Sequence, residues 1–308
     1  FMLRFILVRL LSSLPTVFIV VTLSFFMIRI APGGPFNLER PLEPQVLANL
    51  KAAYHLDQPL WWQYVYYLGN VLHGDFGPSF VYKDYTVAEL ILQALPYSLV
   101  LGSWALCVAV FGGIAMGVYA ALRQNSWPDY LLMGVSALGN TVPNFVIGPI
   151  LSLIFAVGLR LLPTGSWGDG SFRFLVLPVI VLALPQLAVF ARLTRGSMIE
   201  ALRADHVRTA RAYGLPFRSV VGRHALRAGL MPVISYLGPT AASVLTGSII
   251  VETMFSLPGV GRYFVLGALN RDYTLVMGTV VLISVFIVVL NLLVDVVYAF
   301  VDPRVRYE

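Results

Sequence analysis

The sequence predicts an all-α polytopic membrane protein with six transmembrane helices and a small helical cap between the first two. Three observations carry that reading. Of 308 residues, 58% are hydrophobic and 12% charged, and mean hydropathy is +0.81; soluble domains carry about 25% charged residues. Six apolar runs are long enough to cross a bilayer, which takes about 20 helical residues. The segments joining them alternate in charge, as retention of Arg and Lys on the cytoplasmic side requires.

Arg4 and Arg9 precede the first run, Leu10 to Ile28. A secretory signal has a shorter apolar core, about 7–15 residues, so residues 1–30 read as an uncleaved first helix. Ala31-Pro32-Gly33-Gly34-Pro35 ends it, and residues 31–94 form the predicted cap on the outer side. Leu47, Leu50 and Tyr54 recur at helical spacing and predict a short amphipathic helix over 44–55. Residues 59–72 open with Pro59 at a plausible N1 position and are dense in Trp and Tyr, which favour the headgroup zone. A turn cluster at His73–Ser79 follows, and Thr86-x-x-Glu89 forms a capping box leading into the second span. About 60 residues of this composition make a poor independent core, so the cap lies on the membrane.

Five further spans are predicted at roughly 95–122, 130–159, 174–193, 230–252 and 276–301, making 95–301 the core domain and 302–308 a cytoplasmic tail. Six crossings put both termini on one side. With that side cytoplasmic, the inner segments hold thirteen basic and five acidic residues and the outer ones eight and nine. Asp295 falls inside the last span. This topology accounts for the net charge of +6 without nucleic acid as a partner.

The spans are more than anchors. Proline and glycine interrupt them, permitting kinks and close helix approach. Polar groups recur at depth: Asn140, Thr141, Asn144, Gln186, Ser235, Thr240, Ser243, Thr246 and Asn291. Each alone reads first as an interhelical hydrogen bond. Together they predict a translocation pathway, because lipid-facing polar groups are costly.

No catalytic residues emerge. The P-loop, H-E-x-x-H and G-x-S-x-G patterns are absent from the sequence. Neither lysine, Lys51 or Lys83, follows a glycine-rich turn, so any ATP energy must arrive through a partner. Cys107 is the single cysteine and reads as a packing residue, and the four histidines are scattered. No metal site or cofactor is expected in this chain.

Residues 192–227 form a basic island between two apolar runs, with eight Arg (192, 195, 203, 208, 211, 218, 223, 227) against Glu200 and Asp205. Its centre predicts a short helix. Asp205 is the expected N-cap, 206–213 form two turns, Gly214 takes φ > 0 as the C′ residue, and Pro216 prevents continuation. On charge alone, the island reads first as an ordinary positive-inside loop.

Asp205-His-Val-Arg-Thr-Ala-Arg-Ala-Tyr-Gly-Leu-Pro216 resembles the cytoplasmic "EAA" loop of ABC-importer permeases, in the R-T-A-R-A-x-G-L form of the oligopeptide and dipeptide branch. Aligned on Gly214, Arg208-Thr209-Ala210 stand where the general loop has Glu-Ala-Ala, so the glutamate is missing. Arg29–Pro35, Gly74–Ser79, Val251–Gly261, Ala268–Tyr273 and Asp302–Arg304 resemble further blocks of the B-type permeases, in order along nearly the whole chain. The resemblance implies a type I importer fold in the bacterial inner membrane with both termini cytoplasmic. Its implied partners are a second homologous permease, two ABC ATPases that hold ATP and Mg, and an extracytoplasmic peptide-binding protein, besides membrane lipid. It further implies that 205–216 is the coupling helix. Its ATPase-coupling residues would be Arg203, Asp205, Arg208, Thr209, Ala210, Arg211, Ala212, Gly214, Leu215 and Pro216, of which Arg203, Asp205, Arg208 and Arg211 would orient the helix and Gly214, Leu215 and Pro216 would shape its end. Glu252, Arg262, Arg271 and Asp272 are the candidates to meet the binding protein, with pairing inside the chain as the other reading. The rival class is a proton-coupled secondary transporter, which needs intramembrane relays where only Asp295 is clearly placed. The same fold carrying dipeptide, nickel or other small cargo stays open.

Overall fold

The computed structural model describes residues 2–30, 44–82 and 84–301, with all side chains except those of 2–5, 46, 47, 50, 53, 245–247 and 297–301. The Ala31–Pro35 breaker, the terminal Asp302–Arg304 and the side chains of Leu47, Leu50 and Thr246 lie outside the described residues. The elements are helical. They run α1 (Met2–Ile30), α2 (Pro44–Ala53), α3 (Leu60–Leu72), α4 (Val87–Leu122), α5 (Trp127–Thr141), α6 (Asn144–Leu151, continued by a π-helix Ser152–Gly158) and α7 (Phe172–Arg203). Then come α8 (Asp205–Ala212), α9 (Phe217–Ser219), a π-helix Val220–Ala225, α10 (Leu226–Gly229), α11 (Met231–Met254), α12 (Val260–Leu269) and α13 (Tyr273–Val301).

Four helices, α1, α4, α7 and α13, are long and apolar enough to cross a membrane, and two bent pairs raise the number to six if each pair is one crossing. The predicted third span, 130–159, is therefore not continuous: α5 and the helix over Asn144–Gly158 meet at 111°. Val142 is extended there, at φ −87 and ψ 124, because Pro143 disfavours helical backbone in the residue before it. Pro15, Pro96, Pro178 and Pro185 lie inside their helices.

The chain packs as two compact units. Among the described residues, one comprises residues 99–257 and 289–301; the other comprises those of 2–98 with 258–288. In the first, α7 is the central helix. Gly113 and Gly117 on α4 bring its backbone against α7, where an added Cβ would stand 2.5 Å from the Cβ of Phe190 and of Thr194 respectively. Residue numbers rise together along this pair, so α4 and α7 run parallel. On another side of α7, numbers fall on α7 as they rise on α5: Asp129 meets Arg195, Ser136 Oγ donates to the Ala188 carbonyl at 3.0 Å, and Gly139 lies against Leu184. The same antiparallel sense holds between α7 and the chain entering α11, where Ser197 meets Gly229 and Gln186 meets Ser243. These directions are those of consecutive membrane crossings.

In the other unit, α1 and α3 pack with α13 through Val21, Phe25, Tyr67, Met277 and Val281. The start of α4 meets α13 through Val87, Leu90, Ile91 and Leu275. Helix α3 begins at Leu60, with Pro59 its N-cap, one position later than predicted. The capping box is reciprocal: Thr86 N–H donates to Glu89 Oε2 at 2.9 Å and Glu89 N–H to Thr86 Oγ1 at 3.3 Å.

Asp272 clamps this unit. One carboxylate oxygen accepts from Ser79 Oγ and from the backbone N–H of Phe80 and Val81; the other accepts from Thr274 Oγ1 and Leu275 N–H at the start of α13. Removing it orphans several buried donors, at about 1–3 kcal/mol each where no water enters. Asp272→Ala is therefore expected to lower the melting temperature of the detergent-solubilised protein clearly, and Asp272→Asn less. An unchanged melting curve for Asp272→Ala would show that the clamp contributes nothing.

Candidate functional site

Helix α8 is held by its ends and its rear face. Ala204, extended at φ −65 and ψ 150, occupies the N-cap position, and Asp205 is the first helical residue. Asp205 is thus not the cap, because the chain turns into the helix one residue earlier than its side-chain type suggested. Its exposed carboxylate instead favours the helix dipole and stands 3.6 Å from Arg208, an exposed pair that contributes little. At the other end Gly214 has φ +73. Its N–H donates to the Arg211 carbonyl at 2.9 Å and Leu215 N–H to the Ala210 carbonyl at 3.3 Å, the two bonds of a Schellman motif. Pro216 then caps α9.

Val207 and Ala210 are buried with Met198 and Ala201 of α7 and with Val220 and Ala225 of the π-helix. Ala210, expected among the docking residues, belongs instead to this seat, because it lies one turn from Val207 on the inner stripe. Arg203, Asp205, Arg208, Thr209, Arg211, Ala212, Gly214, Leu215 and Pro216 are exposed. Arg203 donates to Gln124 Oε1 at 3.1 Å and Thr209 Oγ1 to the Asp205 carbonyl at 2.9 Å. Tyr213 and Phe217 are 83% and 60% exposed. Sequence reasoning passed over them, since aromatic residues default to interiors. Their position flanking the Gly214–Pro216 break was the available signal.

Behind the seat, Arg195 Nε and Nη2 donate to the two carboxylate oxygens of Asp129 at 2.6 and 2.7 Å, and Asn125 N–H donates to Asp129 Oδ2 at 2.9 Å. The sequence reading counted both charges only towards topology. This bidentate pair ties the start of α5 to α7 and makes Arg195 structural. Nearby, the Ser197 hydroxyl donates to the Gly229 carbonyl at 2.5 Å, and an added Cβ on Gly229 would reach 2.5 Å from Met198 Sδ. Helices α7, α8 and α10 are thereby joined into one block. His206 Nε2 meets the His224 backbone carbonyl at 3.3 Å rather than its ring. Among the described residues no cluster of three His, Cys, Asp or Glu could hold a metal.

The predicted pathway residues divide. Gln186 Nε2 donates to Ser243 Oγ at 2.8 Å, bringing two of them together between α7 and α11. Asn140, Thr141, Ser235 and Asn291 are exposed in the chain alone; Thr141 and Ser235 bond back to carbonyls of their own helices. Asn144 has its carbonyl oxygen buried and unpartnered among the described residues. Thr240 is an exception to the prediction: it is fully buried, with its hydroxyl donating to the Tyr236 carbonyl, so it lines no open surface. Of the predicted outer contacts, Arg262 and Arg271 are exposed. Glu252 and Asp272 are 0% exposed and offer nothing to a partner. Glu252 lies inside α11 and not in the predicted outer loop, and the Asp272 carboxylate is taken up by residues of its own chain.

Two family models match the chain: "Binding-protein-dependent transport system inner membrane component" over residues 113–307, and the corresponding N-terminal model over residues 2–102. The chain is 50% identical over 306 residues to the oligopeptide transport system permease protein OppB of Salmonella typhimurium, covering 99% of this chain and 100% of that one. It is 43% identical over 306 residues to the dipeptide transport system permease protein DppB of Bacillus subtilis, covering 99% and 98%. A solved structure, "Crystal structure of an amino acid ABC transporter with histidines", aligns with TM-score 0.49 and 18% identity over 70% of this chain and 94% of that one.

Proposed function

The chain belongs to the binding-protein-dependent transport system inner membrane components, and from that premise we propose that it is the permease of an ATP-driven importer whose cargo is an oligopeptide. It is a multi-pass membrane transport subunit of an ABC complex, not an enzyme. The proton-coupled alternative has no support from this membership. Oligopeptide cargo is favoured over dipeptide by 50% against 43% identity to the respective permeases.

The finer reading is as follows. A second homologous permease completes the pathway, and an extracytoplasmic binding protein delivers cargo near exposed Arg262 and Arg271. Two ATPases hold ATP and Mg on the cytoplasmic side, where both termini of this chain lie. Helix α8 is the coupling helix. Its exposed Arg203, Arg208, Thr209 and Arg211, with Tyr213 and Phe217, dock on an ATPase. The observation that carries this role is the seating of α8: with Val207 and Ala210 sealed against α7 and the π-helix, a push on its outer face moves α7 and α10 with it. Asn140, Thr141, Gln186, Ser243 and Asn291 are the candidates for contact with cargo.

The test is uptake of labelled oligopeptide by vesicles containing the purified complex and the loaded binding protein. ATP-dependent uptake, competed by oligopeptides and weakly by dipeptides, is expected. Uptake that follows a proton gradient and ignores ATP would overturn the reading.

A further inference from the structure

The unit formed by residues 2–98 and 258–288 holds a partly open cavity of about 190 Å³ beside the last turn of α1, walled by α3 and the turn at 75–80. Its lining includes Arg29, His55, Gln63, Tyr67, Asn70 and Phe76. Two buried donors there, Arg29 Nη1 and the Tyr67 hydroxyl, have no hydrogen-bond partner among the described residues. The guanidinium is oriented by two contacts: Nε donates to Gln63 Oε1 at 3.0 Å, and its carbon lies 3.7 Å from the centroid of the Phe25 ring. Gln63 is held in turn by donating to the Gln58 carbonyl at 2.8 Å.

An ordered cation with an unmet buried N–H calls for an anionic acceptor, since leaving it bare is costly. Among the described residues none supplies one. The Asp75 carboxylate, which also lines the cavity, accepts from Gly77 N–H at 2.8 Å, and no carboxylate among the described residues pairs with Arg29. Burial raises the Tyr67 pKa above its ordinary value, the Arg29 charge opposing, so its O–H remains a donor.

Location selects the anion. Arg29 falls in the last turn of the apolar span Ile6–Ile30, where hydrocarbon gives way to headgroups. The two helices that meet there, α1 and α3, expose Met27, Ile30, Trp61, Tyr66 and Leu72, the aromatic and aliphatic mixture of a membrane interface. We propose that this cavity binds the phosphate of a phospholipid headgroup, with Arg29 Nη1 and the Tyr67 hydroxyl donating to its oxygens. Arginine suits phosphate through its planar donor edge. The bound lipid would pin α3 to the end of α1 at the bilayer surface. Free phosphate offers the same chemistry but lacks acyl chains to keep it at this depth.

The experiment uses the full chain, purified in mild detergent with its copurifying subunits and exposed to phosphatidylglycerol. Native mass spectrometry counts retained lipid, and thermal unfolding is followed separately with phosphatidylglycerol and with inorganic phosphate. Wild type is expected to retain lipid and be stabilised by it. Arg29→Gln should reduce retention about tenfold, the effect of one charge-assisted hydrogen bond, and Tyr67→Phe by a smaller factor. Lys51→Gln, which removes an exposed charge outside the cavity lining, should match wild type. Equal retention by wild type and both cavity variants, or no retention and no stabilisation at all, overturns the proposal. Stabilisation by inorganic phosphate alone overturns the lipid assignment. If Arg29→Gln does not fold, Tyr67→Phe, which keeps the ring, decides.

Discussion

Gly214→Pro is expected to leave the permease inserted and assembled while ATP-dependent uptake falls to background. Gly214 has φ +73, whereas proline holds φ near −65°. Proline also lacks the N–H that closes α8 on the Arg211 carbonyl at 2.9 Å, and it disfavours the conformation of Tyr213, at ψ 3, before it. An added Cβ meets nothing within 4 Å, so the defect is conformational and confined to the end of the helix. Gly214→Ala, which meets only the left-handed penalty of about 1–2 kcal/mol, should reduce uptake without stopping it. Uptake in vesicles is read against the amount of complex in the membrane. Full ATP-driven transport by the Gly214→Pro complex would remove α8 from the coupling route.

Gly117→Leu should instead prevent assembly. At this position an added Cβ would lie 2.5 Å from Thr194 Cβ, 2.6 Å from the Ala191 carbonyl oxygen and 2.9 Å from Arg195 N. Two of those neighbours are backbone, which cannot rotate away, so α4 and α7 must separate. Overpacking typically costs about 1–3 kcal/mol, occasionally more; at about 3 kcal/mol the ratio of folded to unfolded chain drops roughly a hundredfold. The yield of monodisperse complex by size-exclusion chromatography should collapse. Gly134→Ala and Gly196→Ala, whose new methyls meet nothing within 4 Å, serve as controls and should purify as wild type. A normal yield of Gly117→Leu would mean that α4 and α7 do not meet through this glycine.

The coupling role proposed for α8 requires a stiff connection, and the contacts around it provide one. The apolar seat, the Asp129–Arg195 pair and the Ser197–Gly229 hydrogen bond join α8 to α7, α5 and α10. The outer face carries charge and two exposed aromatic rings. Such a surface combines electrostatic orientation with large contact area, the mixture that anchors protein interfaces.

Several features were legible because they are local. A spanning run needs only consecutive apolar residues, the Thr86/Glu89 box joins residues three apart, and the end of α8 depends on one glycine reaching a conformation that other residues resist. Even locally, the N-terminus of α8 was misread by one position, since Asp205 is favourable both as a cap and in the first turn. The burial of Ala210 and Thr240 depended on what packs against each helix face.

By itself, then, the sequence determined the helical class, the apolar spans, the closed end of α8 and the absence of an ATP-binding loop. Each of these follows from chemistry within a few residues or from composition. Only the tertiary structure decided that Asp129 meets Arg195, that Asp272 and Glu252 turn inward, and that Arg29 and Tyr67 share a cavity. Those pairings depend on helix register and direction across tens to hundreds of residues, where no local propensity acts and packing alone selects the neighbour.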